Sequence, residues 1–180
     1  MFEGYVGERV ASTVSLVRED EVRAVVDPGM VPDVAEAILD PLARLGESTA
    51  SISDVLLTHH HPDHTINMGL FPRARIHDHW AWYRGDKWVD RPAEGFALSP
   101  SVMLIETPGH TPQDITVLAG TPEGIVALTH LWWASTGPPE DPYATDHKAL
   151  HRARARVLQV ASLVVPGHGP AFVPNDRTPR

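Results

Sequence analysis

The reading of this chain turns on Thr58-His59-His60-His61-Pro62-Asp63-His64, in which five of seven side chains can bind a metal ion. The stretch follows Asp54-Val55-Leu56-Leu57, an apolar run that predicts a short buried strand. Residues two apart on a strand share a face, so His59 and His61 point the same way. Pro62 suits the first position of a new helix, which puts Asp63 and His64 in its first turn. Two imidazoles thus leave a strand end, and a carboxylate and a third imidazole enter a helix. Such a compact set of N and O donors suits Zn²⁺ or a similar ion. The plain alternative is a solvated His-rich loop or the remains of an affinity tag. A tag would sit at a terminus, not behind a buried strand.

Composition narrows the classes. At 180 residues the chain is most simply a single domain, 1–180, with enough length for a real core. It has no cysteine, which excludes disulfides, thiolate ligands and a Cys nucleophile. The formal net charge of −8 disfavours a large nucleic-acid footprint, which needs clustered Lys and Arg. Met1-Phe2-Glu3-Gly4-Tyr5 shows no basic region followed by an apolar run, and no stretch approaches about 18 apolar residues. The expectation is a cytoplasmic protein with no membrane partner.

Along the chain, residues 13–18 and 22–27 predict a hairpin. Asp27, ahead of the Pro28-Gly29 turn, is placed to support the metal site from behind; capping the turn is compatible with that. Val34, Ala37, Ile38, Leu42 and Leu45 have helical spacing over residues 31–45, with Pro41 kinking or splitting the helix. The helix begun at Pro62 is expected to run to about Phe71. Residues 74–79 read as a strand. Its His77 and His79, followed by Trp80, Trp82, Tyr83 and Trp88, read as the aromatic wall of a substrate pocket rather than a second metal pair, with plain core or rim positions as the alternative. Residues 84–100 read as a loop with room for a short hairpin. Strands over 102–106, 114–118 and 124–129 follow, with His110 after the first and His130 after the last. Asp146 caps a helix over 147–160, whose Arg152, Arg154 and Arg156 read as a solvated face. Residues 162–165 are a last buried strand delivering His168. The tail after about residue 174 is expected to be disordered.

The order H-x-H-x-D-H behind Val55-Leu56-Leu57-Thr58 resembles the metallo-β-lactamase fold superfamily of metal-dependent hydrolases. Val25-Val26-Asp27-Pro28-Gly29, Thr107-Pro108-Gly109-His110-Thr111 and Val165-Pro166-Gly167-His168-Gly169 are similar to its other motifs, in its order. His61-Pro62-Asp63-His64, Gly69-Leu70-Phe71-Pro72 and residues 156–170 resemble most the subgroup typified by metallo-β-lactamase domain-containing protein 1. The resemblance implies an α+β fold, a four-layer αββα sandwich of two packed mixed sheets with helices outside. It implies His59, His61 and His110 around one metal and Asp63, His64 and His168 around a second, with Asp63 also positioning or deprotonating the attacking water. Zn²⁺ is the implied cofactor, one or two per chain, with Fe, Mn or Ni as alternatives.

One residue departs from that pattern. Where the family has an Asp bridging both metals, after Ile125-Val126-Ala127-Leu128-Thr129, this chain has His130. A carboxylate can bridge two cations, whereas a neutral imidazole has one free lone pair. His130 is expected to ligate one metal; the alternative is a ring turned away to backbone. The leading function is a hydrolase using a metal-bound hydroxide on an ester, lactone, thioester, amide or phosphodiester bond. The alternative is a metal-binding module with little catalysis, in which His130 closes the coordination sphere. An iron oxidoreductase is a third class. The expected partner is a small-molecule substrate; a short RNA and a homodimer are the others the reading admits.

Overall fold

The computed structural model describes residues 1–180, and its layers follow from the two-residue period of the strands. β1 (Tyr5–Val6) and β2 (Val10–Ala11) form a small ribbon. β3 (Ser15–Glu19), β4 (Val22–Val26), β5 (Asp54–Leu56), β6 (Arg75–His77), β7 (Ala81–Arg84) and β8 (Lys87–Asp90) make a six-stranded sheet in that order. Its β4–β5 and β5–β6 pairs are parallel and the rest antiparallel. β9 (Phe96–Ala97), β10 (Val102–Glu106), β11 (Ile115–Thr121), β12 (Gly124–Leu128) and β13 (Ala161–Val165) make a five-stranded sheet ordered β13-β12-β11-β10-β9. Only β12 and β13 pair in parallel there. The α-helices are α1 (Asp40–Arg44), α2 (Pro62–Thr65) and α3 (His147–Leu158). None is long and apolar enough to cross a membrane.

Successive side chains on β4 and β5 part to opposite faces. Ala24, Val26 and Leu56 meet Leu104, Ile115, Val117 and Leu128 between the sheets. Val25 and Val55 turn outward against Ala37, Ile38 and Leu42. On the other outer face Ile105, Ala127 and Val164 pack on Leu150, Ala153 and Val157 of α3. The order helix, sheet, sheet, helix is the expected αββα sandwich. Each such Val, Leu or Ile side chain stabilises the fold by about 1.5–3 kcal/mol through burial.

Several local expectations change. The helix over 31–45 is not split but runs on through Pro41: a wider π-helical stretch, Ala35–Leu39, leads directly into α1, which has Pro41 in its first turn. The helix begun at Pro62 stops at Thr65 instead of Phe71. Asn67 explains the stop, because its N–H donates to Pro28 O and its Nδ2 to Gly29 O, tying the chain back to the turn after β4. Residues 81–83, read as part of an aromatic pocket wall, and 84–90, read as a loop with room for a short hairpin, together form the β7–β8 hairpin, with Gly85 at φ 62° in its turn. Arg154 is fully buried rather than solvated. It donates to Leu131 O, Pro138 O and Pro139 O. The tail, expected to lie loose, is placed against the fold: Trp132 Nε1 donates to Pro179 O and Thr178 is buried.

Candidate metal centre

Strand ends on both sheets deliver the ligand-type side chains to one edge of the sandwich. His59 and His61 follow β5, and Asp63 and His64 open α2. His110 follows β10, His130 follows β12 and His168 follows β13. The first three ring nitrogens converge closely. His59 Nε2 lies 3.0 Å from His61 Nδ1, and His110 Nε2 lies 3.1 Å from the same atom. A second group stands beside it. His64 Nε2 is 3.4 Å from His168 Nε2 and 3.4 Å from Asp63 Oδ2, which is 3.5 Å from His168 Nε2. His60 is turned out of the cluster, with Nε2 3.2 Å from Asp78 Oδ2 and its ring against Trp80.

The groups behind each ring set where the lone pairs point. Asp27 accepts from Thr58 N (2.8 Å), Thr58 Oγ1 (2.7 Å) and His64 Nδ1 (2.9 Å). The support expected of Asp27 is therefore a bond to the rear of His64. Thr58 Oγ1 gives its proton to Asp27, so it accepts from His59 Nδ1 at 3.2 Å. Asp141 Oδ2 accepts from His110 Nδ1 at 2.8 Å, and Ala11 O from His168 Nδ1 at 3.0 Å. With the rear nitrogens protonated, His59, His64, His110 and His168 present bare Nε2 lone pairs to the middle. His64 Nε2 and His168 Nε2, bare acceptors 3.4 Å apart with Asp63 Oδ2 beside them, repel unless a cation lies among them. The donor set therefore fits a divalent transition metal.

His130 sits between the two groups. Its ring centroid is 4.3 Å from that of His110, 4.4 Å from His59, 4.8 Å from His64 and 5.0 Å from His168. Its Nε2 lies 3.1 Å from His168 Nε2, and its buried Nδ1 has no hydrogen-bond partner. Gly167 makes room for it, since a Cβ there would come within 2.3 Å of His130 Cδ2. Gly29 does the same for the start of α2, where a Cβ would lie 1.7 Å from Asp63 O. Burial, reinforced by the surrounding imidazoles, holds His59 and His130 well below the usual histidine range. Burial also lowers His61 and His168. Neutral rings are the form that binds metal. Burial pushes Asp141 up, but bonds from His110, the Tyr143 N–H and Trp133 outweigh it and hold the carboxyl below the usual range.

Residues 7–171 match the family model of the metallo-β-lactamase superfamily. The chain belongs to this superfamily. It is 36% identical over 149 residues to human metallo-β-lactamase domain-containing protein 1, covering 78% of this chain and 56% of that protein. It thus spans little more than half that relative's length. Among solved structures, a metallo-β-lactamase-like protein from Thermotoga maritima aligns over 97% of this chain and 96% of its own, with a TM-score of 0.77 at 23% identity. AidC, a dizinc quorum-quenching lactonase solved with an acyl-homoserine product, aligns over 87% of this chain and 72% of its own, with a TM-score of 0.62 at 19% identity. These two likenesses speak for the fold.

In this metallo-β-lactamase fold the centre opens into a cavity of about 530 Å³. His61, Asp63, His110, His130 and His168 face it. Val6 and Val10 of the β1–β2 ribbon and Met30 line it on one side, and Trp133 and Tyr143 of the β12–α3 loop on another. The Trp133 and Tyr143 rings stack, 5.7 Å between centroids and 15° between planes. No Lys or Arg lines it. The aromatic wall expected from residues 77–88 is elsewhere, because β6–β8 contribute nothing to this cavity. His77 is a core residue, fully buried with Nε2 2.9 Å from Asp54 Oδ1. Sequence reasoning missed Asp141, Trp133 and Tyr143 as site residues. The available signal was an acid and two aromatics around Gly137-Pro138-Pro139, a stretch too stiff to be a casual loop.

Proposed function

We propose that this chain is a metal-dependent hydrolase acting on an uncharged ester or lactone, with an apolar acyl portion. The cavity carries the proposal: six converging imidazole and carboxylate donors open onto an apolar lining without a Lys or Arg. His59, His61 and His110 would hold one ion, and Asp63, His64 and His168 a second. An ion held there supplies a Lewis acid and brings the pKa of a bound water to about 7. Asp63, partly exposed at the cavity floor, is placed to orient that water and take up its proton. Burial keeps His59 neutral, so it competes for no proton at neutral pH. Trp133 and Tyr143 offer a flat face, and Val6, Val10 and Met30 an aliphatic one, for the acyl portion. Binding there orients the carbonyl and sheds water from the floor.

A phosphodiester such as RNA fits less well, because no lining cation meets its charges and the chain is acidic overall. A panel of chromogenic esters, lactones and bis-nitrophenyl phosphate, run with and without chelator, tests the reading. Turnover of esters or lactones that chelator abolishes is the expected result. A protein that binds metal yet turns over nothing on the panel would instead be a metal-binding module.

A further inference from the structure

Asp27 and Asp141 each hold an imidazole of the centre by its rear nitrogen, but their other bonds differ. Those of Asp27 go to Thr58, within the ligand strand's own exit. Those of Asp141 go to the cavity wall. Its Oδ2 accepts from His110 Nδ1 at 2.8 Å and from Trp133 Nε1 at 3.1 Å, and its Oδ1 accepts from Tyr143 N at 2.9 Å. The residue is fully buried, so these donors share the carboxylate without competing water. Asp141 does not itself line the cavity. The loop carrying it is clamped from below by the buried Arg154, which donates to Leu131 O at 2.8 Å, Pro138 O at 2.9 Å and Pro139 O at 2.7 Å. Wall and carboxylate are therefore fixed to one stiff segment, and one oxygen of that carboxylate serves both the wall and His110.

We propose that Asp141 is a positioning residue that couples the occupant of the Trp133–Tyr143 wall to the ion-binding strength of His110. The proposal rests on reading His110 as a metal ligand. Hydrogen bonds to a carboxylate oxygen draw on the same negative charge, so each donor weakens the other's bond. A stronger bond to Nδ1–H makes Nε2 more basic and a better ligand. When an apolar acyl group presses on the wall and shifts Trp133 Nε1–H, the share of Oδ2 left to His110 rises, and its grip on the ion rises with it. The arrival of an uncharged ester would in this way be sensed at the metal.

The test is the Zn²⁺ affinity of the tighter site, by competition with a chromogenic chelator, for wild type, Trp133→Phe, Asp141→Asn and the double variant. Trp133→Phe removes one donor from Oδ2 and should tighten the ion roughly threefold. Asp141→Asn should weaken it about tenfold or more. In the Asp141→Asn background the Trp133→Phe change should have no effect. Opposite signs for the two single variants are the mark of coupling, since general loosening of the loop would weaken both. A Trp133→Phe variant that binds Zn²⁺ as wild type does, or more weakly, overturns the proposal. So does an effect that persists in the double variant. If Asp141→Asn does not fold, the indole N–H resonance of Trp133 in wild type decides: it should move on adding Zn²⁺, and an unmoved resonance overturns the coupling. A wild type that binds neither Zn²⁺ nor Fe, Mn or Ni overturns the hydrolase reading itself, before any variant is compared.

Discussion

The two halves of the centre use the same kinds of side chain and are finished differently. His59, His61 and His110 bring three nitrogens within 3.0 and 3.1 Å contacts, carry no formal charge, and keep His61 exposed to the cavity. Asp63, His64 and His168 stand 3.4 to 3.5 Å apart and include one carboxylate. That second half also has His130 Nε2 3.1 Å from His168 Nε2. Three donors with a free side is the form of a catalytic ion site, and a fourth donor is what closes one. An Asp at position 130 could serve both halves at once, whereas an imidazole commits its lone pair to one. The contrast teaches that a single residue, without any change in the fold, can give two neighbouring donor sets unequal surroundings.

The largest effect that could break the comparison comes from removing one donor on each side. His61→Ala should take one ion from each chain, reduce turnover to background, and lower the melting temperature, because an ion bound only to the folded state stabilises it. Asp63→Asn should keep the first ion and lose about a hundredfold or more in rate, the usual scale for a displaced proton acceptor. Metal analysis and steady-state rates on the same preparations check both. Full activity in Asp63→Asn, or an unchanged metal count in His61→Ala, would erase the distinction between the halves.

His130→Asp should sharpen it. The shorter acid fits the space that Gly167 leaves, returns a negative charge between the halves, and can bridge two ions. Two dications a few ångströms apart repel strongly, and an added anion offsets part of that. The weaker ion should bind about tenfold more tightly, which corresponds to about 1.4 kcal/mol. Metal titration by calorimetry reads the change directly. Two equally tight ions in wild type, with no gain in His130→Asp, would mean that His130 does not set the halves apart.

Legibility in the sequence followed how local each feature is. The strands around His59 and the αββα order were readable because alternation on β4 and β5 sorts Val25 and Val26 to opposite layers within two residues. The donors were readable because His59, His61, His110, His130 and His168 follow apolar strands and Asp63 and His64 open the helix behind Pro62. The cavity wall was not readable. Trp80, Trp82 and Trp88 stand out in the sequence as much as Trp133 and Tyr143, and only the path of the β12–α3 loop brings the latter two to the cavity. That path depends on Arg154, more than ten residues away, finding the carbonyls of Leu131, Pro138 and Pro139. A helix arginine between exposed Arg152 and Arg156 carries no local mark of burial. Likewise α2 ends early because Asn67 bonds the turn after β4, a contact 38 residues away in sequence.

A smaller effect concerns the buried rings without metal. Unfolded histidines take up protons near pH 6.5, while burial holds folded His59 and His130 neutral well below that. The unfolded state therefore binds more protons as the pH falls, so acid should destabilise the metal-free protein. The slope is about 1.4 kcal/mol per pH unit for each such ring below pH 6.5. Urea midpoints in chelator at pH 7.5 and pH 5.5 measure it. A midpoint that holds steady or rises on acidification would show the rings already protonated in the folded state, and no pre-formed donor set.

The smallest expected effect has the opposite sign and belongs to the first half alone. Asp114 lies beneath the turn that carries His110, its Oδ2 accepting from Thr111 N at 2.7 Å and its Oδ1 from Thr111 Oγ1. Burial pushes its carboxyl from 3.8 up to about 6, against the pull of those bonds. A carboxyl raised on folding is held more firmly in its protonated form, so its contribution is present below the unfolded value and is lost as pH rises through about 6. Asparagine in its place can accept from Thr111 N–H and donate to Thr111 Oγ1 without ionising at all. In the metal-free protein, Asp114→Asn should gain on wild type as pH rises from 4 to 7.5, by on the order of 2 kcal/mol at most. Paired denaturation curves across that range, with chelator present, give the difference. The second half has no counterpart, because Asp27 bonds His64 directly and draws its partners from Thr58. A difference between Asp114→Asn and wild type that does not vary with pH would mean that Asp114 stays charged beneath His110. The first half would then hold a buried negative charge close by, and the electrostatic inequality of the two halves would be less than their ligands alone suggest.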